Sequence, residues 1–281
     1  MIYQISYLSN DYQVKGYLAL PYGVTVSTEQ LKGWLNSFYQ TSTLEVLPIA
    51  CPLLPPTIPV VDGQYPVFVY CRGGIGRVGS VRMDWLERFA QHGHIVFAPC
   101  YRGAEGGEGR DEFGGADVED VLSGIRWLSQ LSFVDEQRIA IMGFSRGSVN
   151  AAQAAVRSTE PPLSQLILWG GVSDLARTYE ERIDLRRMLK RVIGGSTGKY
   201  PERYEARSPV ALAEQIHCPV LIIHGRQDMQ VDYSHAENMI QRLQELDKEY
   251  DVQIYEEYGH HMPEDVHKQA IAAMFDWIRA N

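Results

Sequence analysis

Apolar residues follow two rhythms along this chain. The opening segments, Ile2 to Leu8 and Tyr12 to Leu20, alternate apolar and polar positions on either side of a Ser9-Asn10-Asp11 turn, which predicts an antiparallel hairpin. After Pro66 the pattern changes to short apolar runs: Val67 to Tyr70, Ile95 to Ala98, Ile139 to Met142, Leu166 to Trp169 and Val220 to Ile223. Such runs predict strands buried on both faces. Helical patterns lie between them. From Ala116 to Leu131 the apolar residues Val118, Val121, Leu122, Ile125 and Leu128 recur at a helical period, and Asp117, Glu119 and Asp120 sit in the first turn, where carboxylates complement the helix dipole. The last segment opens with Pro263, Glu264 and Asp265 and carries Ile271, Met274, Phe275 and Ile278 on one stripe, a final packed helix. Strands alternating with helices predict an α/β fold with a mostly parallel sheet covered on both faces.

Two segments interrupt the alternation. Residues 23–64 combine an amphipathic helical stretch, Glu29 to Phe38, with the proline-rich run Pro48 to Pro59, and so long a connection reads as a lid, an extra substructure or an interaction arm. Residues 175–209 are charged and arginine-rich, and read either as a solvated surface helix or as a cap inserted over a site. With 281 residues and no repeats, the whole chain, 1–281, is expected to form a single domain.

Charge and composition narrow the function classes. A net charge of −9, a pI near 5.4 and the lack of any lysine-arginine stripe argue against nucleic acid. Met1 to Ser6 carries no basic leader followed by an apolar stretch, and no apolar run is long enough to span a bilayer, so a cytoplasmic protein without a membrane partner is expected. Cys51, Cys71, Cys100 and Cys218 are widely spread and lack C-x-x-C spacing, which predicts reduced thiols without disulfide or zinc. No metal or other cofactor is expected. The proline-rich arm and exposed opening strands could support a homo-oligomer or equally close over the chain's own pocket.

Candidate chemistry centres on Gly143-Phe144-Ser145-Arg146-Gly147, directly after the apolar run Ile139 to Met142. A serine between glycines on a sharp strand-to-helix turn is the pattern of a nucleophile elbow, since the tight backbone leaves no room for neighbouring side chains. Ala151, Ala152 and Ala154 let the next helix lie close to the sheet, with its N-terminus beneath Ser145. A serine hydroxyl needs a base, and a histidine base needs an acid to orient it. The strand Pro219 to Ile223 runs into His224-Gly225-Arg226-Gln227-Asp228, and the strand Val252 to Tyr255 runs into Gly259-His260-His261. Asp228 and His260 are therefore the leading candidates, in the chain order serine, acid, histidine. His261 is the alternative base, Asp174 and Asp232 are rival acids, and His224 reads as a structural group at a strand end. Donors for an oxyanion are expected from the Arg146 N–H and from the loop Cys71-Arg72-Gly73-Gly74-Ile75-Gly76.

With these residues assembled, the chain from Pro66 onward resembles the catalytic domain of the prolyl oligopeptidase family of serine peptidases, which has an α/β-hydrolase fold. Beyond the elbow the likeness rests on Tyr101-Arg102-Gly103, Gly106-Gly107-Glu108-Gly109, Asp117, Asp120, Trp127-Leu128 and Arg207-Ser208-Pro209, and on the hairpin ending in Leu20-Pro21. The resemblance implies a triad of Ser145, Asp228 and His260, with Gly73 or Gly74 and Arg146 as the oxyanion hole. It also implies a small ester or short peptide substrate. Two positions depart from the family pattern: Arg72 stands where many members have histidine, and Ser148 where glycine is usual. Peptide-cleaving members usually carry a β-propeller, for which this chain has no room. A serine hydrolase cleaving a peptide, aminoacyl amide or ester through an acyl-enzyme is thus expected. A small-substrate carboxylesterase is the alternative, and a non-catalytic binding module on the same fold is the third reading.

Overall fold

A computed structural model describes residues 1–49, 55–57, 63–75 and 78–281. Cys51, Gly76 and most of the proline-rich run lie outside these residues. The alternating opening segments pair as the hairpin β1 (Ile2–Ser9) and β2 (Tyr12–Ala19), with Asn10 left-handed in the turn (φ 51°), a conformation asparagine tolerates. Ser27 and Gln30 form a capping box that starts α1 (Thr28–Phe38), which buries Leu31 and Leu35. A strand that the apolar pattern did not reveal follows, β3 (Val46–Ile49), antiparallel to β1. Pro48 sits within it, which an edge strand accepts because one of its sides needs no donor. Within residues 23–64, Val46–Ile49 thus extends the sheet at its edge.

The alternating part of the chain then runs through β4 (Tyr65–Cys71), α2 (Met83–Ala90), β5 (Ile95–Pro99), α3 (Val118–Leu128), β6 (Val134–Phe144), α4 (Gly147–Arg157) and β7 (Gln165–Trp169). Short helices follow, α5 (Leu175–Glu181), α6 (Arg186–Ile193), α7 (Pro201–Glu205) and α8 (Pro209–Leu212), before β8 (Val220–Gly225), α9 (Ser234–Glu245), β9 (Tyr250–Tyr255) and α10 (Glu264–Ala280). The sheet order is β3-β1-β2-β5-β4-β6-β7-β8-β9, with β1, β2 and β3 antiparallel to their neighbours and every pairing from β5 to β9 parallel.

Period-two alternation explains the layers. In β4, Val67, Val69 and Cys71 enter one apolar cluster with residues of α1, α3, α4 and α9, whereas Phe68 and Tyr70 enter a second with Trp85, Leu86 and Phe89 of α2 and Met274 and Phe275 of α10. Cys71 and Cys100 are buried in these layers, where desolvation pushes the Cys71 thiol up to about 12. They behave as small hydrophobes rather than as reactive thiols. Arg102 forks onto Asp120 of α3 (Nη2 to Oδ1 2.7 Å), and Asp120 also accepts from the Arg102 backbone N–H at 2.7 Å. Arg102 Nη2 further donates to Ser9 Oγ at 3.2 Å, tying the hairpin turn to the α/β body.

Residues 175–209 pack through Leu175, Tyr179, Leu189, Ile193 and Tyr204 onto Phe113, Val149 of α4, Val172 and Val231. They stand against the loops at the carboxyl ends of the parallel strands. No described helix is long and apolar enough to cross a membrane.

Candidate active site

Parallel strands all deliver their following loops to one edge, and the candidate residues lie there. Ser145 directly follows β6 in the left-handed region, φ 55°, a strained position for a residue with a Cβ. The turn that holds it tolerates no bulk on either side. A Cβ on Gly143 would lie 2.4 Å from Ser148 Cα, and one on Gly147 would lie 2.0 Å from the Cys71 carbonyl oxygen. Three backbone bonds pin the residue, from Ser145 N to Trp169 O at 2.9 Å and to Ser145 O from Ser148 N at 3.1 Å and Val172 N at 3.2 Å. Ser148 donates to the Gly143 carbonyl at 2.9 Å, so its hydroxyl closes the elbow from below.

Asp228 and His260 are brought into direct contact. His260 Nδ1 lies 2.6 Å from Asp228 Oδ2, and both side chains are buried. The other oxygen, Oδ1, accepts from the backbone N–H of Gln230 at 2.8 Å and of Val231 at 2.9 Å. Burial by itself would raise this carboxyl; its bond to His260 and the two N–H donors outweigh that and hold it below the usual carboxylate range. A carboxylate only accepts, so Nδ1 carries the proton and Nε2 is left as the basic nitrogen.

Gly170 is the residue that makes room for this pair, and nothing in the motif pointed to it. It follows β7 with φ 51°, and a Cβ there would lie 3.3 Å from His260 Nδ1 and 3.5 Å from Asp228 Oδ2. The Phe144 ring stands 4.9 Å from that of His260, which places the imidazole beside the elbow. Among the described residues no hydrogen bond links Ser145 Oγ to His260, a contact that commonly tightens only when substrate is bound.

The rival residues have other partners. His261 is the more exposed of the two histidines, and partial desolvation with the nearby His260 and Arg82 pushes it down. Asp174 caps α5 by accepting from Arg177 N at 3.0 Å, and Asp232 accepts from Ser234 N at 3.0 Å in a local turn. His224 is buried and bonds the Val231 carbonyl through Nε2 at 2.9 Å, bracing the loop that carries Asp228.

Gly73 and Gly74 lie across from the serine, with a Cβ built on Gly73 falling 3.1 Å from Ser145 Cβ. Gly74 is left-handed (φ 69°), and a Cβ there would meet the Val78 carbonyl oxygen at 2.0 Å, so this turn admits only glycine. Among the described residues the N–H groups of Gly74 and Arg146 have no hydrogen-bond acceptor. The Arg146 side chain, which the motif left unexplained, turns inward onto Asp111 and Asp117. These carboxylates outweigh its desolvation and keep it cationic.

A cavity of about 230 Å³ opens beside His260, floored by Trp85, Phe144 and Trp169 and rimmed by Arg82, Arg88 and Glu264. A larger one, about 390 Å³, lies at the opposite edge near Tyr65, His94 and Gln165, where the parallel strands begin. Sites in such sheets form at the carboxyl ends, so the smaller cavity is the relevant one. Among the described residues no group of three or more His, Cys, Asp or Glu is arranged to hold a metal ion.

Sheet order, elbow and acid-histidine pair together define an α/β-hydrolase. The chain belongs to the prolyl oligopeptidase family, whose profile matches residues 81–281. It is 42% identical over 221 residues to the uncharacterized peptidase YtmA of Bacillus subtilis, covering 79% of this chain and 86% of that relative. Dipeptidyl-peptidase 5 of Porphyromonas gingivalis is 27% identical over 187 residues, covering 62% of this chain and 27% of that protein. Among solved structures, the acylaminoacyl peptidase of Pyrococcus horikoshii superposes with a TM-score of 0.73 at 19% identity, over 98% of this chain and 41% of that one. A puromycin hydrolase gives a TM-score of 0.73 at 21% identity, over 97% of this chain and 38% of that one. The chain thus spans about two-fifths of these solved relatives, and at such identities the likeness speaks for the fold alone.

Proposed function

We propose that the protein is a serine peptidase that cleaves a small peptide or aminoacyl amide through an acyl-enzyme on Ser145. The observation that carries the proposal is the buried 2.6 Å contact of His260 with Asp228 beside a serine held left-handed on the elbow. His260 Nε2 takes the Ser145 proton as Oγ attacks the substrate carbonyl. The oxyanion receives the Arg146 N–H at the start of α4 and an N–H of the Gly73-Gly74 loop. His260 then gives its proton to the leaving nitrogen, and water, deprotonated in turn by His260 Nε2, attacks the acyl carbonyl and releases the acid. Because the leaving group must meet His260, the cavity rimmed by Arg82, Arg88 and Glu264 is its natural space.

The names of the structural neighbours, acylaminoacyl peptidase and puromycin hydrolase, favour starting with aminoacyl amides. Aminoacyl and prolyl p-nitroanilides beside short-chain p-nitrophenyl esters, hydrolysed by wild type and by Ser145→Ala, test the reading. Anilide turnover that disappears in the variant is the expected result. Turnover of esters alone would replace the peptidase by a carboxylesterase. Loss of all serine-dependent turnover, together with failure of a fluorophosphonate to label Ser145, would refute the acyl-enzyme.

A further inference from the structure

Two guanidinium groups are buried behind the loop that follows β4. Arg72 is 1% exposed and Arg146 3%. Arg146 is neutralised in the ordinary way, with Asp111 oxygens at 2.7 Å from Nη1 and Nη2 and Asp117 Oδ2 at 2.8 Å from Nη2. Its Nη1 also donates to the Gly74 carbonyl at 3.0 Å. Arg72 differs, because among the described residues every hydrogen-bond partner of its guanidinium is a backbone carbonyl. Nε and Nη2 donate to Cys100 O at 3.3 and 2.7 Å, and Nη1 donates to Gly73 O at 3.0 Å and to Gly74 O at 3.5 Å. The nearest carboxylate, Asp111, is 4.0 Å away, and the Tyr101 ring lies 4.8 Å from the Arg72 guanidinium carbon.

Burying a cation is costly unless something is gained by it, and what Arg72 holds is the peptide between Gly73 and Gly74. In a trans peptide the C=O of one residue and the N–H of the next point in opposite directions. Anchoring the Gly73 oxygen inward therefore aims the Gly74 N–H outward, away from Arg72. A cation on the carbonyl also polarises the whole peptide unit and makes its N–H a stronger donor.

We propose that Arg72 is a positioning residue for the oxyanion hole: it fixes and polarises the Gly73–Gly74 peptide so that the Gly74 N–H faces the developing charge. Arg146, itself held by Asp111, donates to the following carbonyl, that of Gly74. The inference rests on the acyl-enzyme reading above, and it selects Gly74 over Gly73 as the donor from this loop. Methionine at position 72 would occupy a similar volume while holding neither carbonyl.

Wild type, Arg72→Met and Arg72→Lys are compared for kcat and KM on the best substrate of the panel, for thermal midpoint, and for inhibition by a peptidyl trifluoromethyl ketone, whose adduct with the serine carries an oxyanion. Deleting an oxyanion donor outright costs about 10²- to 10³-fold in kcat, so misplacing one is expected to cost about 10- to 100-fold with KM nearly unchanged. Affinity for the ketone should fall by a similar factor, and Arg72→Lys, which can still donate to one carbonyl, should recover part of both losses. A merely structural role would lower the thermal midpoint without this pairing of kcat with ketone affinity. A raised KM at unchanged kcat, or equal ketone affinity in wild type and Arg72→Met, overturns the proposal. Should Arg72→Met fail to fold, Arg72→Leu, which also lacks a donor, against Arg72→Lys makes the same comparison. A wild-type protein that forms no adduct at all refutes the acyl-enzyme reading itself, and the role of Arg72 with it.

Discussion

Replacing Asp228 by asparagine is a sharp test because the surrounding backbone dictates how the amide must sit. Oδ1 is held by two N–H donors, from Gln230 at 2.8 Å and Val231 at 2.9 Å, so the amide oxygen must occupy that position. Its NH₂ group then falls at the Oδ2 position, 2.6 Å from His260 Nδ1. Two donors cannot share that contact, and the imidazole is driven to the tautomer with its proton on Nε2. That nitrogen can no longer take a proton from Ser145. A wrong-tautomer histidine in a serine triad lowers kcat by about 10⁴, or roughly 5 kcal/mol of barrier. Turnover of the best panel substrate and the rate of fluorophosphonate labelling of Ser145, both near neutral pH, should fall together. An unchanged circular dichroism spectrum would show that the fold survives. A variant turning over within about tenfold of wild type would refute the assignment, whatever its stability.

Other consequences follow from the packing and from the buried histidines. Gly147→Ala forces a Cβ to within 2.0 Å of the Cys71 carbonyl oxygen, so β4 or α4 must shift. Overpacking of this kind costs about 1–3 kcal/mol. A thermal midpoint lowered by several degrees and turnover reduced at least about tenfold are expected, and an active variant with an unchanged midpoint would count against the tight elbow. His94 is pushed down to about 4, chiefly by burial, with the nearby His92, Arg279 and Arg138 acting in the same direction against its bond to the His92 carbonyl. The unfolded chain protonates this ring near pH 6.5, whereas the folded protein resists until about pH 4, so the unfolded state binds more protons in between. Stability should therefore be fully present above about pH 6.5 and decline towards pH 4. Urea midpoints across this window should flatten in His94→Gln, and parallel curves for the two proteins would exclude His94 as a source of the decline.

How much was legible depended on whether a feature was local. The runs at Val67, Ile95, Ile139, Leu166 and Val220 all became strands, because burial on both faces of a parallel sheet leaves an uninterrupted apolar signal. The edge strand Val46–Ile49 was hidden because it is short, contains Pro48 and has Leu47 half-exposed. At the site, Ser145 could be picked out by its glycines, and Asp228 and His260 by their positions after strands. Gly170 carries no local mark, since its role is to leave space for residues 58 and 90 positions further along the chain. Nor could Arg146 and Arg72 be read as buried, because arginine beside a glycine-rich loop looks the same whether it faces water or the carboxylate of Asp111.

By itself the sequence determined the α/β class and the glycine-flanked turn at Ser145, and singled out Asp228 and His260 after later strands, because these rest on period, size and spacing within a few residues. Only the tertiary structure decided that Asp228 bonds His260 and not His261, that Val46–Ile49 forms the edge of the sheet, and that two arginines stand behind the Gly73–Gly74 loop. Those outcomes depend on which loops the sheet order brings to one edge and on which polar groups are deprived of water there, and both are fixed by contacts between residues far apart in the chain.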